Sequence, residues 1–175
     1  MSELAIVSSL QQSIIGSPLL ISSAVFAARW LILAFLPLAV FCLVQGKTGR
    51  HAVSEAVWAL VIALLLTSLL SRIIERPRPF LAEKDTAAPV MNLVPPPYNT
   101  SFPSGHTASV AAMAAALAYV HRRVGFAAVL VAAAVALGRV LVGVHYPTDL
   151  IGGLVVGLLA FAIVRFCHNE LRKRV

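Results

Sequence analysis

Long apolar runs separated by short polar or proline-rich intervals organise this chain. Five stretches, residues 19–44, 52–74, 107–120, 126–144 and 150–166, are almost continuous in apolar side chains. A helix needs about 20 such residues to cross a hydrocarbon core, and backbone polar groups find partners there only when helical, so each stretch predicts a spanning helix. The third is short, but Ala108, Ala111, Ala112 and Ala115 suit close packing inside a bundle. Ahead of the first run, Leu4, Val7, Leu10 and Ile14 recur at helical spacing with Ser and Gln between them, predicting a short amphipathic helix in the membrane interface. The expected fold is therefore all-α: a polytopic transmembrane helix bundle of about five spans plus that N-terminal helix, in one domain over residues 1–175.

Composition excludes the soluble classes. Of 175 residues, 59% are hydrophobic and 12% charged, and the mean hydropathy is +0.90, a balance that no water-soluble domain of this size keeps. The net charge of +7 does not indicate nucleic acid, because the basic residues are scattered between apolar runs and not gathered on one face with aromatics. They order the topology instead. Lys47 and Arg50 follow the first run, Arg122 and Arg123 the third, and Arg165, Arg172, Lys173 and Arg174 lie at the end of the fifth. Short cytoplasmic loops collect Lys and Arg, so the C-terminus is expected in the cytoplasm and the N-terminus outside, in an inner (plasma) membrane. Residues 1–12 hold Glu3 and no Lys or Arg, so they lack the positive region of a cleaved leader. Cys42 and Cys167 read as small hydrophobes.

That topology leaves two segments on the outer face, residues 76–103 and the turn 145–148, and these hold the chemistry. The first carries seven prolines, Pro77, Pro79, Pro89, Pro95, Pro96, Pro97 and Pro103, which favour a stiff extended path. Three polar clusters meet at this end of the bundle: Arg76-Pro77-Arg78-Pro79, Pro103-Ser104-Gly105-His106, and Arg139 with His145 and Asp149. Ser104 caps the third span, leaving the N–H groups of Gly105 and His106 to point outward as a phosphate site. Arg78 and Arg139 add planar guanidinium groups that each hold two phosphate oxygens. Arg139 lies inside an apolar run, where a charge needs a polar cavity or an anion. Asp149 follows His145 at helical spacing, so its carboxylate can fix one imidazole nitrogen and free the other to attack phosphorus, with His106 as general acid. No cluster has metal-ligand spacing, so neither a metal nor another cofactor is expected. His51, His121 and His168 fall on the cytoplasmic side without evident role.

These residues match a known pattern. The chain resembles the type 2 phosphatidic acid phosphatase superfamily of membrane lipid phosphatases, whose motifs run K-x-x-x-x-x-x-R-P, P-S-G-H and S-R-x-x-x-x-x-H-x-x-x-D. Arg78-Pro79, residues 103–106, and Arg139, His145 and Asp149 fit them in order and spacing. The resemblance implies His145 as nucleophile, Asp149 as its orienter and His106 as acid. It implies Arg78, Ser104, Gly105 and Arg139 as phosphate binders, with a phosphohistidine intermediate. Two positions depart: Ser71 stands where the family has lysine, and Gly138 where it has serine. Arg72 or Arg76 is expected to supply the missing charge. The run Glu75 to Phe80 looks like bacterial undecaprenyl diphosphate phosphatases of the superfamily.

The expected partners are a membrane lipid substrate and the bilayer, with no nucleic acid; oligomeric state is not legible. Undecaprenyl diphosphate leads the substrates, with phosphatidylglycerol phosphate, phosphatidate and lipid A phosphates as alternatives, and Glu83, Lys84 and Asp85 are the expected discriminating loop residues. Two other classes compete. A small transporter or flippase would use Arg29, inside the first run, but no inverted repeat supports it. A structural subunit would not need three polar clusters at one face.

Overall fold

A computed structural model describes residues 2–82, 89–95 and 100–173. Seven α-helices and two short 3₁₀ turns make up its secondary structure, with no strand among the described residues. They are α1 (Glu3–Ile15), α2 (Pro18–Arg29), α3 (Phe35–Leu43), α4 (Lys47–Ile73), α5 (Gly105–Val120), α6 (Arg122–Leu141) and α7 (Pro147–Arg172). Several starts have a local cause. Ser2 and Ser17 cap α1 and α2 by accepting from the N–H groups of Ala5 and Leu20, and Pro18 and Pro147 stand in first turns that have no N–H to lose.

The helix α5 lies at the centre, packed against α4, α6 and α7. Its alanines let the neighbours close in: Ala108, Ala112 and Ala116 have no exposed surface. Gly153 and Gly157 on α7 do the same from the other side, since a Cβ on Gly157 would stand 2.5 Å from the Ala108 carbonyl oxygen. Without a hydrophobic force between helices in lipid, this close backbone approach is what holds the bundle. The large apolar side chains, among them Leu65, Phe126, Ile151 and Phe166, face outward, where the surrounding medium is hydrocarbon.

One expectation is corrected. The single span over residues 19–44 is two helices, α2 and α3, bent by 59° across a 3₁₀ turn at Leu31–Ala34. Pro37 supplies the reason: it has no N–H for the Leu33 carbonyl and its ring would clash there, so a continuous helix cannot pass and α3 restarts with Pro37 in its first turn. Three helices are long and apolar enough to cross a membrane, four if the bent pair is one span, and α5 is a shorter apolar helix. The expected N-terminal helix is present as α1. Its buried stripe is Val7, Gln11 and Ile14, with Leu10 exposed at 36%, and it packs against α2 and α6. Gln11 is the anchor: its side chain donates to the Met91 and Leu141 carbonyls at 2.7 and 3.2 Å and accepts from the Met91 N–H at 2.7 Å. That pins the loop around residue 91 over the end of α6.

Candidate active site

The C-terminal ends of α4 and α6, the starts of α5 and α7, and the segment around Arg78 enclose a cavity of about 150 Å³. Arg78, Gly105, His106, Arg139 and His145 line it, with Thr67, Ser71 and Thr100 completing the wall. All three polar clusters predicted from sequence are thereby brought together.

His145 sits in the turn between α6 and α7 and is 3% exposed. Asp149, fully buried in the first turn of α7, accepts from the Tyr146 N–H at 2.8 Å, the bond expected of an acidic residue three positions into a helix. The same oxygen lies 3.4 Å from His145 Nδ1. At that length it falls short of a formed hydrogen bond, and Nδ1 has no other partner among the described residues. The carboxylate thus favours the Nδ1–H tautomer and leaves the Nε2 lone pair on the cavity side, 3.4 Å from Arg78 Nη1. Burial pushes the His145 imidazole down to about 4, against the pull of Asp149 and with the help of Arg139 and Arg78. The ring is therefore neutral and unprotonated at physiological pH.

Arg78 is held from behind, donating to the Val144 and Thr100 carbonyls at 2.7 and 3.0 Å. Burial lowers it to about 10, with Asp149 raising it in opposition, so it stays charged. Arg139, 7% exposed, donates to the Ala28 carbonyl at 3.3 Å while its Nε is buried without a hydrogen-bond partner. The Ala28 acceptor lies at the end of α2, beside the bend. Among the described residues no carboxylate lines the cavity, and the guanidinium groups of Arg78 and Arg139 both face it.

At the start of α5, Ser104 is fully buried and caps the helix: its Oγ accepts from the Thr107 hydroxyl at 3.0 Å and lies 3.5 Å from the Thr107 N–H. The Ser104 N–H donates to the Asp149 carbonyl oxygen at 3.0 Å, tying α5 to α7. Gly105 and His106 line the cavity but Ser104 does not.

Neither residue expected to replace the family lysine reaches the cavity. Ser71 faces it uncharged, and Arg72 lines an adjacent open cleft with Ser71 and Glu75. Arg76 turns behind the histidine, donating to Asp149 Oδ1 at 2.7 Å, Thr148 Oγ1 at 2.7 Å and Glu3 Oε2 at 2.6 Å. Its guanidinium also lies 4.0 Å from the Tyr146 ring centroid. Burial works against the charge on Arg76, but Glu3 and Asp149 outweigh it and raise its pKa. Sequence reasoning missed Glu3, whose other oxygen accepts from the Thr148 N–H at 3.0 Å; no local signal pairs residues 73 positions apart. Glu83, Lys84 and Asp85, like Pro96 and Pro97, lie outside the described residues.

A neutral imidazole backed by a carboxylate and flanked by two arginines, set at one end of an apolar helical bundle, defines a membrane hydrolase acting on a phosphorylated lipid. The chain belongs to the PAP2 superfamily, whose pattern matches residues 52–173, and is a membrane lipid phosphatase. It is 29% identical over 148 residues to the undecaprenyl-diphosphatase BcrC of Bacillus subtilis (strain 168), covering 83% of this chain and 74% of that one. It is 30% identical over 170 residues to the decaprenylphosphoryl-5-phosphoribose phosphatase of Mycobacterium tuberculosis (strain ATCC 25618 / H37Rv), covering 93% and 88%. The crystal structure of Aquifex aeolicus LpxE has the same fold, with a TM-score of 0.75 at 24% identity over 92% of this chain and 93% of the other.

Proposed function

We propose that this enzyme hydrolyses a polyprenyl diphosphate, undecaprenyl diphosphate fitting best, to the monophosphate and inorganic phosphate at the extracytoplasmic face of the plasma membrane. One observation carries the reading: His145 Nε2 looks into a buried cavity between Arg78 and Arg139, with Asp149 behind it and His106 on the same wall system. The His145 nitrogen attacks the terminal phosphorus and forms a P–N bond. The bond from phosphorus to the bridging oxygen breaks, its electron pair stays on that oxygen, and His106 donates the proton. Arg78, Arg139 and the N–H groups at the start of α5 stabilise the charge on the transferred phosphoryl group, each charge-assisted bond contributing about 1.5–3 kcal/mol. Ser104 acts by shaping that helix start. Water then attacks the phosphohistidine, His106 takes its proton, and phosphate leaves. No step is assigned to a metal.

Orientation and lipid class have separate support. Lys47, Arg50, Arg122, Arg123 and Lys173 stand at helix ends remote from the cavity, which by the positive-inside tendency is the cytoplasmic end, with the C-terminus there. The names of the two relatives given above describe polyprenyl-linked substrates, while other similar proteins are named phosphatidylglycerophosphatase B and lipid A 1-phosphatase. The test is phosphate release by detergent-purified enzyme from undecaprenyl diphosphate, phosphatidylglycerol phosphate and phosphatidate, in EDTA, with His145→Ala as control. The expected result is preference for the diphosphate, an acid-labile phosphoenzyme on quenching, and no turnover by the variant. Preference for either monoester would overturn the substrate assignment; activity in His145→Ala would overturn the nucleophile.

A further inference from the structure

The catalytic cavity has a neighbour. A second compartment of about 260 Å³ is lined by Arg29, Val94, Pro95, His106 and Arg139. It shares His106 and Arg139 with the first, so the two meet at the residue assigned to protonate the leaving oxygen. In attack at a terminal phosphorus, the transferred group lies on the nucleophile's side and the leaving group lies beyond the acid. The second compartment is therefore on the leaving-group side.

Arg29 is the residue that gives this compartment its character. It ends α2, its guanidinium lies 5.5 Å from the Trp30 ring centroid, and among the described residues it meets no carboxylate. Its side chain is exposed, so it does not demand an anion, but with no carboxylate beside it the guanidinium is open to a phosphate that enters the compartment. Two features deliver Arg29 to the cavity. The 59° bend after Arg29 turns the chain there, and Gly138 lets α2 cross α6 at close range, since a Cβ at that position would lie 2.8 Å from the Ala28 nitrogen and 3.0 Å from the Ala27 Cβ. The Ala28 carbonyl is then within reach of Arg139, and Arg29, the next residue, opens onto the compartment.

We propose that Arg29 binds the lipid-proximal phosphate of a diphosphate substrate, making the second compartment a leaving-phosphate subsite that sets preference for diphosphates over monophosphates. The inference rests on the phosphohistidine reading above. When the bridging P–O bond breaks, the leaving group is a lipid monophosphate, and negative charge builds on its departing oxygen until His106 delivers a proton there. Arg29 and Arg139 together compensate that charge. A lipid monophosphate substrate releases an alcohol instead and leaves Arg29 without a phosphate to hold.

The experiment uses full-length enzyme with farnesyl diphosphate and farnesyl phosphate, two probes identical but for one phosphate. In Arg29→Ala the ratio of kcat/KM for the two should fall about 10- to 100-fold, the worth of one charge-assisted bond, with Arg29→Lys between it and wild type. Inhibition by farnesyl phosphate, as the product of the diphosphate reaction, should weaken in parallel. Gly138→Ala, which displaces α2 without touching the guanidinium, should shift the ratio the same way. Equal loss on both substrates, or unchanged product inhibition, would overturn the proposal. If wild type instead releases phosphate from neither probe above the His145→Ala control, the phosphatase reading fails, and the two failures are thereby distinguished.

Discussion

Arg76 separates two accounts of this site. Adjacent to the Arg-Pro motif, it would serve as a phosphate clamp if its guanidinium reached the cavity; in the structure it braces Asp149 from behind. Asp149 is fully buried and Arg76 about a quarter exposed, joined at 2.7 Å. A hydrogen bond between charged groups contributes about 1.5–3 kcal/mol, and removing one partner leaves the other short of compensation in a medium that solvates it poorly. In Arg76→Ala, Asp149 keeps only the Tyr146 N–H and the His145 contact, and the carboxylate is free to rotate out of register with Nδ1. If the loss falls on the transition state, in which His145 becomes cationic, kcat should drop about 10- to 150-fold. KM and the Ki of tungstate, a phosphate-shaped dianion, should stay within about threefold, because neither measures the dyad's alignment. Arg76→Lys, one bond instead of a fork, should recover part of the rate. The assay is steady-state phosphate release with tungstate inhibition, on protein whose melting temperature in detergent is measured in parallel. A rise in KM and tungstate Ki of tenfold or more with kcat preserved would refute the positioning role and restore Arg76 as a clamp.

Two further predictions follow from burial and packing. With its pKa held down to about 4, His145 is neutral above that value, so carbethoxylation of its ring, followed by mass spectrometry from pH 4 to 8, should be half-maximal near pH 4; a midpoint near the ordinary 6.5 would show a solvated imidazole. Gly157→Ala sets a methyl group 2.5 Å from the Ala108 carbonyl and 2.8 Å from the Ala111 Cβ. Backbone there cannot give way cheaply, so the variant should lose about 1–3 kcal/mol and melt several degrees lower; an unchanged melting temperature would mean that α5 and α7 are not held in this contact.

Apolar run length was enough to find the helices that build this fold, and motif order was enough to gather Arg78, His106, Arg139, His145 and Asp149. What stayed hidden has a common cause: direction. Hydropathy registers the run over residues 19–44 but not the turn within it, although Pro37 was its visible signal. Gln11 reads as a polar spacer because a glutamine's burial depends on distant partners, here the carbonyls of Met91 and Leu141. The same limit assigned Arg76 to the phosphate, since adjacency to Arg78 says nothing about which way a guanidinium turns. Gly138, a departure from the family pattern, had no meaning until α2 was seen to cross it.

The proposed leaving-phosphate subsite calls for a substrate with more than one phosphate. Four guanidinium groups, Arg29, Arg76, Arg78 and Arg139, surround or adjoin the two compartments, and Glu3 and Asp149 both accept from Arg76. Burial pushes the Glu3 carboxyl up, but Arg76 and Thr148 outweigh it, so Glu3 is ionised near neutrality. Because Arg76 is shared between two carboxylates, neither is fully neutralised by it, and Asp149 keeps a negative field on His145. Arg29 and Arg139 line the second compartment, where no carboxylate stands among the described residues. At an effective dielectric near 20, opposite charges about 4 Å apart attract by about 4 kcal/mol, several times the value in water. An excess of cations distributed along two joined compartments is thus satisfied best by negative charge distributed over the same length. On the subsite proposal, a single phosphate beside His145 leaves Arg29 without a phosphate contact, whereas two linked phosphates would reach both compartments.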